Sequence, residues 1–494
     1  MSGHTTLTKL VPWVAPAPPP QRVPQTESVA ALARDMQHTC AAAVDSLEIA
    51  ARLEADGIND NVASVKYGHR DVFSLADQLF SGSFLDPGER PTVPEVWRSN
   101  AVHHVLRGVL FGLPGLLYLV ASQHVGGGPA TTGTIVLSLL TAWAASEALS
   151  YLGYLRIGRA DRPGAARILR RGMLAVLAVL LPLTGGVAAS LHVAPIPMVF
   201  ALAQAVYLVT ATVVLVTGGE WWLLVALTPG VSGAIAFLTS GALAAGPAGV
   251  TAQLKGPIPM WVWACSLGTV AATAILAFAR SYGGRRAKGR TITLADLAGA
   301  VPHALFGLVT GALLTFGTIV AILGAGSPAG SAALVALPLS LSMGIAEWLL
   351  FAYRRRAHKL LQRTATLRSF RVRSRLTLLA ATLAYLVLLA AIAGCLGGLA
   401  IRLGLDVTPR LFFSALALGA ALFAALSLRS AGITIPVIAV SVAALAAEGG
   451  VLAGAAWLGY AVPADLAQLA ASGVLGLALL VHACQALGLA TRHR

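Results

Sequence analysis

The sequence predicts an all-α polytopic membrane protein with about twelve transmembrane helices in two pseudo-repeated six-helix halves, preceded by a small helical cytoplasmic segment. Composition is the first reason: of 494 residues, 57% are hydrophobic and 11% are charged, against about 25% charged in a soluble globular protein. Apolar runs of about 20 residues, long enough to cross a bilayer, are the second reason. The third is an internal repeat. A soluble domain, a disordered chain and a disulfide scaffold are thereby excluded.

The first 104 residues differ from the rest in charge. They hold 8 basic and 12 acidic residues, a net charge of −4, while residues 105–494 have a net charge of +19. The proline-rich residues 1–25 predict a flexible, extended tail. Apolar residues at helical spacing predict one helix from a cap at Thr26 to Gly57 and a second helix over 71–80. Residues 26–104 are therefore predicted to form a small helical cytoplasmic module, whose apolar stripe is available to the membrane domain or to a protein partner.

Twelve apolar runs follow residue 104. They lack the alternation of barrel strands, which leaves an α-helical bundle, and their glycine and proline residues are tolerated because neighbouring helices can satisfy freed backbone groups. Spans 1–6 form a predicted first half over 105–281, a basic cytoplasmic linker covers 282–296, and spans 7–12 form a second half over 297–494. The predicted spans are 105–122, 132–155, 172–191, 196–217, 220–245, 259–279, 297–324, 329–353, 376–401, 411–428, 433–460 and 466–490.

Basic residues predict the orientation of the bundle. Loops 2–3, 6–7 and 8–9 hold twenty of them, including eight arginines and Lys359 between positions 354 and 375, while loops of the opposite parity hold three. Because short loops rich in Lys and Arg stay cytoplasmic, both termini are predicted to be cytoplasmic in a plasma (inner) membrane protein. The positive charge then reports orientation and contact with membrane lipids, and no nucleic-acid partner is needed to explain it.

A shift of 200 residues relates the two predicted halves. It places Glu147 on Glu347, Arg156 on Arg356 and His103 on His303. The glutamates carry most weight, because acidic residues are rare in the spans. Two six-helix halves are a common construction of secondary transporters, whose site lies between the halves.

Two segments resemble a known family. Residues 158–172, GRADRPGAARILRRG, lead into span 3, and residues 105–112, VLRGVLFG, open span 1. Both are similar to the corresponding segments of the multidrug/oligosaccharidyl-lipid/polysaccharide (MOP) flippase superfamily, in particular its polysaccharide flippases. The resemblance implies twelve spans in two halves and a flippase that moves a lipid-linked or polymeric glycan or an amphipathic small molecule by alternating access. The major facilitator superfamily, which also has a basic loop 2–3, and a non-transporting scaffold for an envelope-assembly complex remain alternatives.

Charged side chains inside spans cost about 2.5–3.5 kcal/mol at a helix centre, so each needs a reason. Glu448, near the middle of span 11, is a candidate proton- or cation-coupling carboxylate or else a structural acid hydrogen-bonded to a neighbouring helix. Glu147 and Glu347 lie at about 10–14 Å of depth from the nearest cytoplasmic arginines. They are candidates for lining a vestibule, for a gate with basic residues, or for an ion pair between the halves. His482 in span 12 is a further cavity candidate.

Candidates for a cytoplasmic gate or for lipid contact lie at the inner ends of the spans. They are His103, His303, Arg156, Arg162, Arg354 and Arg356. An interfacial anchor explains the histidines equally well, and topology explains the arginines. Glu220, beside Trp221 and Trp222, is interpreted as an interfacial acid at a helix N-terminus.

Neither a cofactor nor a metal site is expected, since the four cysteines are isolated and no G-x-x-x-x-G-K-[ST] motif is present. The first external loop, 123–131, contains no acidic residue, unlike the lipid-phosphate glycosyltransferases, so an enzyme is not predicted. The expected partners are membrane lipids and a lipid-linked substrate.

Overall fold

The computed structural model describes residues 25–43, 45–82, 101–125, 128–282, 293–322, 330–363, 366–402, 408–460 and 462–489. The chain divides into two compact units, Met1–Arg98 and Ser99–Arg494. The predicted tail over 1–25 lies almost wholly outside the described residues, as do positions 283–292 of the predicted linker and of loop 6–7.

The described part of the first unit is a bundle of five short helices around its own core. The helices are α1 (Gln25–Asp35), α2 (Gln37–Ala42), α3 (Ser46–Ala55), α4 (Asp60–Tyr67) and α5 (Val72–Gly82). Ile49 and Leu53 of α3 and Leu75 of α5 are fully buried in it. The core is therefore built from residues of this unit alone.

The prediction of one helix from Thr26 to Gly57 is wrong. The chain becomes extended at Ala43 (φ −65°, ψ 136°) and at Asp45 (φ −149°, ψ 169°), and the Asp45 side chain accepts a hydrogen bond from the amide of Glu48. This N-cap begins a new helix and outweighs continuous apolar spacing. Thr26 lies inside α1 and is not its cap, whereas Gly57, with a φ of 85°, follows the end of α3 as predicted.

The helix predicted over 71–80 is present as α5. Asp71 precedes it and accepts a hydrogen bond of 2.7 Å from the Ser74 amide. This bond, together with the neighbouring Arg70 guanidinium, holds the pKa of Asp71 below its ordinary value. The short α4 between α3 and α5 was not predicted.

The second unit contains the membrane helices. Eleven of its described helices or helix segments are long and apolar enough to cross a membrane, and α6 contains a shorter apolar stretch, Leu106–Leu117. The predicted fold class is confirmed, and the described residues contain helices and no strand. The helices are α6 (Ala101–Val125), α7 (Gly128–Gly158), α8 (Arg162–Ser190), α9 (Pro195–Val216), α10 (Glu220–Lys255), α11 (Met260–Tyr282), α12 (Leu294–Leu314), α13 (Phe316–Ile322), α14 (Gly330–Arg363), α15 (Leu367–Arg402), α16 (Pro409–Ser430), α17 (Ile435–Trp457) and α18 (Ala464–Ala486).

One predicted span is interrupted, and another ends at a bend. The seventh is divided at Thr315 into α12 and α13, and the side-chain amide of Gln468 donates a hydrogen bond of 3.1 Å to the carbonyl of Leu313 there. The carbonyl freed by the break is thus satisfied from α18. The fifth span, α10, bends at Ala245 and Gly246, whose backbone angles are not helical.

The helix pairing repeats in the two halves. In half one, α7 packs on α8 and α9, α11 packs on α9 and α10, and α6 packs on α10. The corresponding pairs in half two are α14 with α15 and α16, α18 with α16 and α17, and α12 with α17. Each half also has its own apolar core, one built from residues between 106 and 277 and the other from residues between 306 and 487.

Two main helix pairs join the halves, α6 with α14 and α7 with α12. The repeat relates α6 to α12 and α7 to α14. It therefore exchanges these two pairs, because α6 with α14 corresponds to α12 with α7.

One side of the bundle carries the arginine-rich segments. We call this side, where α7 and α14 end and α8 and α15 begin, the basic side.

Candidate functional site

Glu147 of α7 binds an arginine of the other half. Its Oε2 lies 2.9 Å from Nη2 of Arg429, which ends α16, and the same Nη2 lies 2.9 Å from Nδ1 of His303 in α12. The Arg429 guanidinium lies 3.9 Å from the ring centre of Phe306, and His303 stacks on Tyr151 at 4.3 Å. Three helices, α7, α12 and α16, thus meet at one arginine.

Glu347 of α14, in half two, binds an arginine of half one. Its Oε2 lies 3.3 Å from Nη1 of Arg107 in α6, and Nη2 of Arg107 donates a hydrogen bond of 2.9 Å to Oε1 of Glu220. The Glu220 side chain is only 9% exposed. It is therefore an ion-pair partner of the first span and not merely an interfacial acid.

The two glutamates thus form exchanged pairs. Glu147 of half one binds Arg429 of half two, and Glu347 of half two binds Arg107 of half one. Both pairs lie toward the basic side. Of the alternatives for these glutamates, the structure shows ion pairs between the halves.

A third set of ion pairs lies closer to the surface of the basic side. Asp296 at the start of α12 is 3.4 Å from Nη2 of Arg156 and 3.3 Å from Nη1 of Arg159, both of half one. Thr293 and Asp296 also form a capping box, which fixes the carboxylate at the helix N-terminus. Arg156 is 2% exposed. Such a buried arginine needs its acidic neighbours, which also include Asp161 at 3.8 Å.

Two glycine pairs allow the helices between the halves to approach closely. Gly108 and Gly112 of α6 face Gly344 and Leu341 of α14, while Gly307 and Gly311 of α12 face α7 at Ala144 and Leu140 respectively. A Cβ added at Gly108 would lie 3.2 Å from the Gly344 backbone, and one at Gly307 would lie 3.2 Å from the Cα of Ala144. Each pair is a G-x-x-x-G motif, the spacing that allows two membrane helices to pack backbone to backbone.

Glu448 is buried in α17 at 1% exposure, and neither of its carboxylate oxygens has a hydrogen-bond partner among the described residues. The alternative of an acid hydrogen-bonded to a neighbouring helix is thus not what these residues show. The hydroxyl of Ser472 in α18 is likewise buried without a partner. The helices α17 and α18 pack together and are joined by a short connection. Glu448 lies nine residues before the end of α17, and Ser472 lies eight residues after the start of α18. The two side chains therefore lie at similar depths in the bundle.

The other predicted residues are dispersed. Arg162, Arg354 and Arg356 are exposed on the basic side, and His482 in α18 has a buried Nε2 without a hydrogen-bond partner among the described residues. His103 lies in α6, but its side chain is outside the described residues.

Two cavities of the described residues lie elsewhere. A groove of about 390 Å³ lies between α15 and α18, and a small cavity lies among α6, α10 and α11. Neither is lined by Glu147, Glu347, Glu448 or His482. A cavity-lining role for these residues stays a prediction.

Four charged residues of these ion pairs were absent from the predicted site: Arg107, Glu220, Asp296 and Arg429. Their common signal is a single charge within or at the end of an apolar run, where insertion is costly without a partner. The partners themselves carry no sequence signal, because Glu147 and Arg429 are 282 positions apart and Arg107 and Glu347 are 240 apart.

Comparison with known proteins gives structural neighbours only. No family model and no curated protein matches the chain. A MATE protein solved in complex with MaD3S is 12% identical, with a TM-score of 0.48, over 80% of this chain and 98% of its own. A multidrug resistance MATE family transporter of the MOP superfamily in an outward-facing conformation is 12% identical, with a TM-score of 0.47, over 81% and 99%.

A MOP superfamily transporter from Pyrococcus furiosus is 13% identical, with a TM-score of 0.43, over 81% of this chain and 99% of its own. The outward-facing transporter and the Pyrococcus furiosus protein are both described as members of the MOP superfamily.

Proposed function

We propose that the protein is a membrane transporter that works by alternating access between its two halves. The exchanged pairs carry this proposal: Glu147 and Glu347, equivalent in the repeat, each bind an arginine of the opposite half on the basic side. Pairs of this kind hold one side of the bundle together and must be broken for the halves to separate there. They thus act as a gate on the basic side.

The strength of the pairs fits a gate that opens and closes. Their side chains are 15–30% exposed, between the surface pairs that contribute about 0.2–1 kcal/mol and the buried pairs whose disruption costs about 3–5 kcal/mol. Moving a two-state equilibrium from 1:99 to 99:1 takes about 5.5 kcal/mol. A few such pairs therefore contribute enough to bias the two states without locking one.

Glu448 is proposed as the coupling carboxylate. A buried acid without a hydrogen-bond partner is costly when charged, and a proton or a bound cation removes that cost. It lies about 20 Å along α17 from the start of that helix on the basic side, a position that suits a group whose occupancy biases the conformation.

The proposed substrate is a lipid-linked or polymeric glycan or an amphipathic small molecule. The resemblance of residues 105–112 and 158–172 to polysaccharide flippases supports it, and the exposed arginines of the basic side suit an anionic lipid-linked molecule. The protein is proposed to reside in the plasma (inner) membrane with both termini cytoplasmic.

A buried thiol on α12 tests the gate. Thr310 is 4% exposed and lies about 24 Å along α12 from its start at Leu294. We expect Thr310→Cys, with the four native cysteines replaced by alanine, to react slowly with a maleimide applied from the basic side of membrane vesicles. The double variant Glu147→Gln/Glu347→Gln should raise this rate about tenfold if the lost pairs contribute about 1.4 kcal/mol.

The matched control removes two exposed arginines from the same side, Arg171→Gln/Arg355→Gln, and should leave the labelling rate unchanged. Equal rates in the glutamate variant and its parent would refute the gate and favour a static scaffold. Equal increases in both variants would assign the effect to a general loosening of the bundle and would also refute the gate.

A further inference from the structure

The groove between α15 and α18 is mostly apolar, with its two polar lining residues, Arg375 and Gln485, at one end. Arg375 of α15 and Gln485 of α18 lie at its end on the basic side, while Leu379, Leu480 and Val481 lie about one helical turn deeper. The groove has a volume of about 390 Å³. Its polarity thus changes along its length as a phospholipid changes from headgroup to acyl chain.

Hydrogen bonds fix the walls of the groove. Nε of Arg375 donates a hydrogen bond of 2.8 Å to the carbonyl of Cys484, and the hydroxyl of Ser374 donates one of 3.0 Å to the carbonyl of Leu487. Nη1 and Nη2 of Arg375 make no hydrogen bond to the described residues. The N–H groups of these two nitrogens are therefore available to a ligand at the end of the groove on the basic side, which we call its mouth.

The surroundings of the mouth are uniformly basic. Eight arginines and one lysine occur between positions 354 and 375, and no acidic residue occurs there. Three of these arginines, Arg368, Arg371 and Arg373, lie in the first turns of α15, are exposed and join no acid in an ion pair among the described residues. An anionic group would relieve the repulsion among these charges.

The equivalent surface of half one is different. There Asp296 and Asp161 pair with Arg156 and Arg159. The shift of 200 residues places Ala175 opposite Arg375. In half two the groove therefore lies beside a basic segment without an acid, whereas the corresponding segment of half one contains Asp161, and its Arg170 makes the equivalent contact, 3.4 Å to the carbonyl of Ser281 in α11.

We propose that the groove between α15 and α18 binds one anionic phospholipid, with its phosphate on Arg375 and an acyl chain along Leu379, Leu480 and Val481. The lipid would lie on the membrane-facing surface of half two. This site is independent of the proposed transport function, since it contains none of the exchanged pairs.

Native mass spectrometry of the purified full-length protein, titrated with dioleoyl phosphatidylglycerol or dioleoyl phosphatidylcholine, tests the site. We expect phosphatidylglycerol to bind about fivefold more tightly, the gain of one arginine near an anionic headgroup. Arg375→Gln should remove this preference, and Arg375→Lys should retain most of it. Leu480→Trp, which fills the groove and leaves every charge in place, should remove one bound lipid of either type.

Arg171→Gln is the matched control, since it removes an exposed arginine from the same side of half one. It should leave phosphatidylglycerol binding unchanged. Equal binding of the two lipids, an equal loss in Arg171→Gln and Arg375→Gln, or unchanged binding in Leu480→Trp would each overturn the proposal. Thermal unfolding identifies a variant that fails to fold, and the remaining substitutions then decide the question.

Discussion

At the scale of single residues, Glu448 has the least compensated environment of the predicted site residues. It is 1% exposed, and no described residue donates a hydrogen bond to its carboxylate. Glu147 and Glu347, by contrast, are each paired with an arginine. A paired acid holds helices together, whereas an unpaired buried acid needs a proton or a cation, which is the chemistry of coupling.

Glu448→Gln should fold and lose ion-coupled transport, because the amide has the same shape but binds neither a proton nor a cation at this position. In the parent, an ion present at about 100 times its Kd would stabilise the folded state by about 2.7 kcal/mol. Thermal unfolding of the purified protein over a range of sodium concentration and pH should therefore show a dependence that Glu448→Gln lacks. Asp465→Asn, at the start of α18, is the control. A variant with the dependence of the parent would remove Glu448 from the site.

At the scale of elements, the close approach of α6 to α14 and of α7 to α12 depends on small residues. The two G-x-x-x-G motifs occur 199 positions apart, on the helices that the repeat relates. They are visible in the sequence, but glycine is common in this chain, with 51 residues. Only the pairing of the helices shows which glycines face another backbone.

Gly108→Ala should destabilise the protein by about 1 kcal/mol, because overpacking of about 1–3 kcal/mol exceeds the gain of about 1 kcal/mol in helix propensity. Gly268→Ala in α11 should be neutral or stabilising, since a Cβ there meets no atom within 4 Å. Thermal unfolding of both variants in one detergent measures the difference. Equal unfolding temperatures would show that the first helix does not depend on this contact.

At the scale of the whole molecule, the chain contains two units with separate cores. The apolar core of the first unit is drawn from residues between 36 and 79, and the cores of the two membrane halves are drawn from residues beyond 105. A unit with its own core can fold by itself. With fewer than 100 residues it has little stability in reserve.

Residues 1–98, expressed alone, should therefore be helical and unfold cooperatively. Leu53→Ala should cost about 2–5 kcal/mol and unfold this fragment, because Leu53 is fully buried in its core. Leu47→Ala, a change of the same side chain at a position that is 61% exposed, should cost less than about 0.5 kcal/mol. Circular dichroism during thermal unfolding measures both. Similar losses in the two variants would contradict the independent core.

The sequence by itself determined the membrane class, the positions of the twelve apolar runs, the repeat and the glutamates at 147 and 347, because hydrophobic length and charge within a span are local properties. Only the tertiary structure decided that Arg429 and Arg107 bind these glutamates, that the long front helix divides at Asp45, and that the seventh span breaks at Thr315. Ion pairs between residues more than 200 positions apart depend on how helices pack. Packing is set by the whole bundle, which no local pattern encodes.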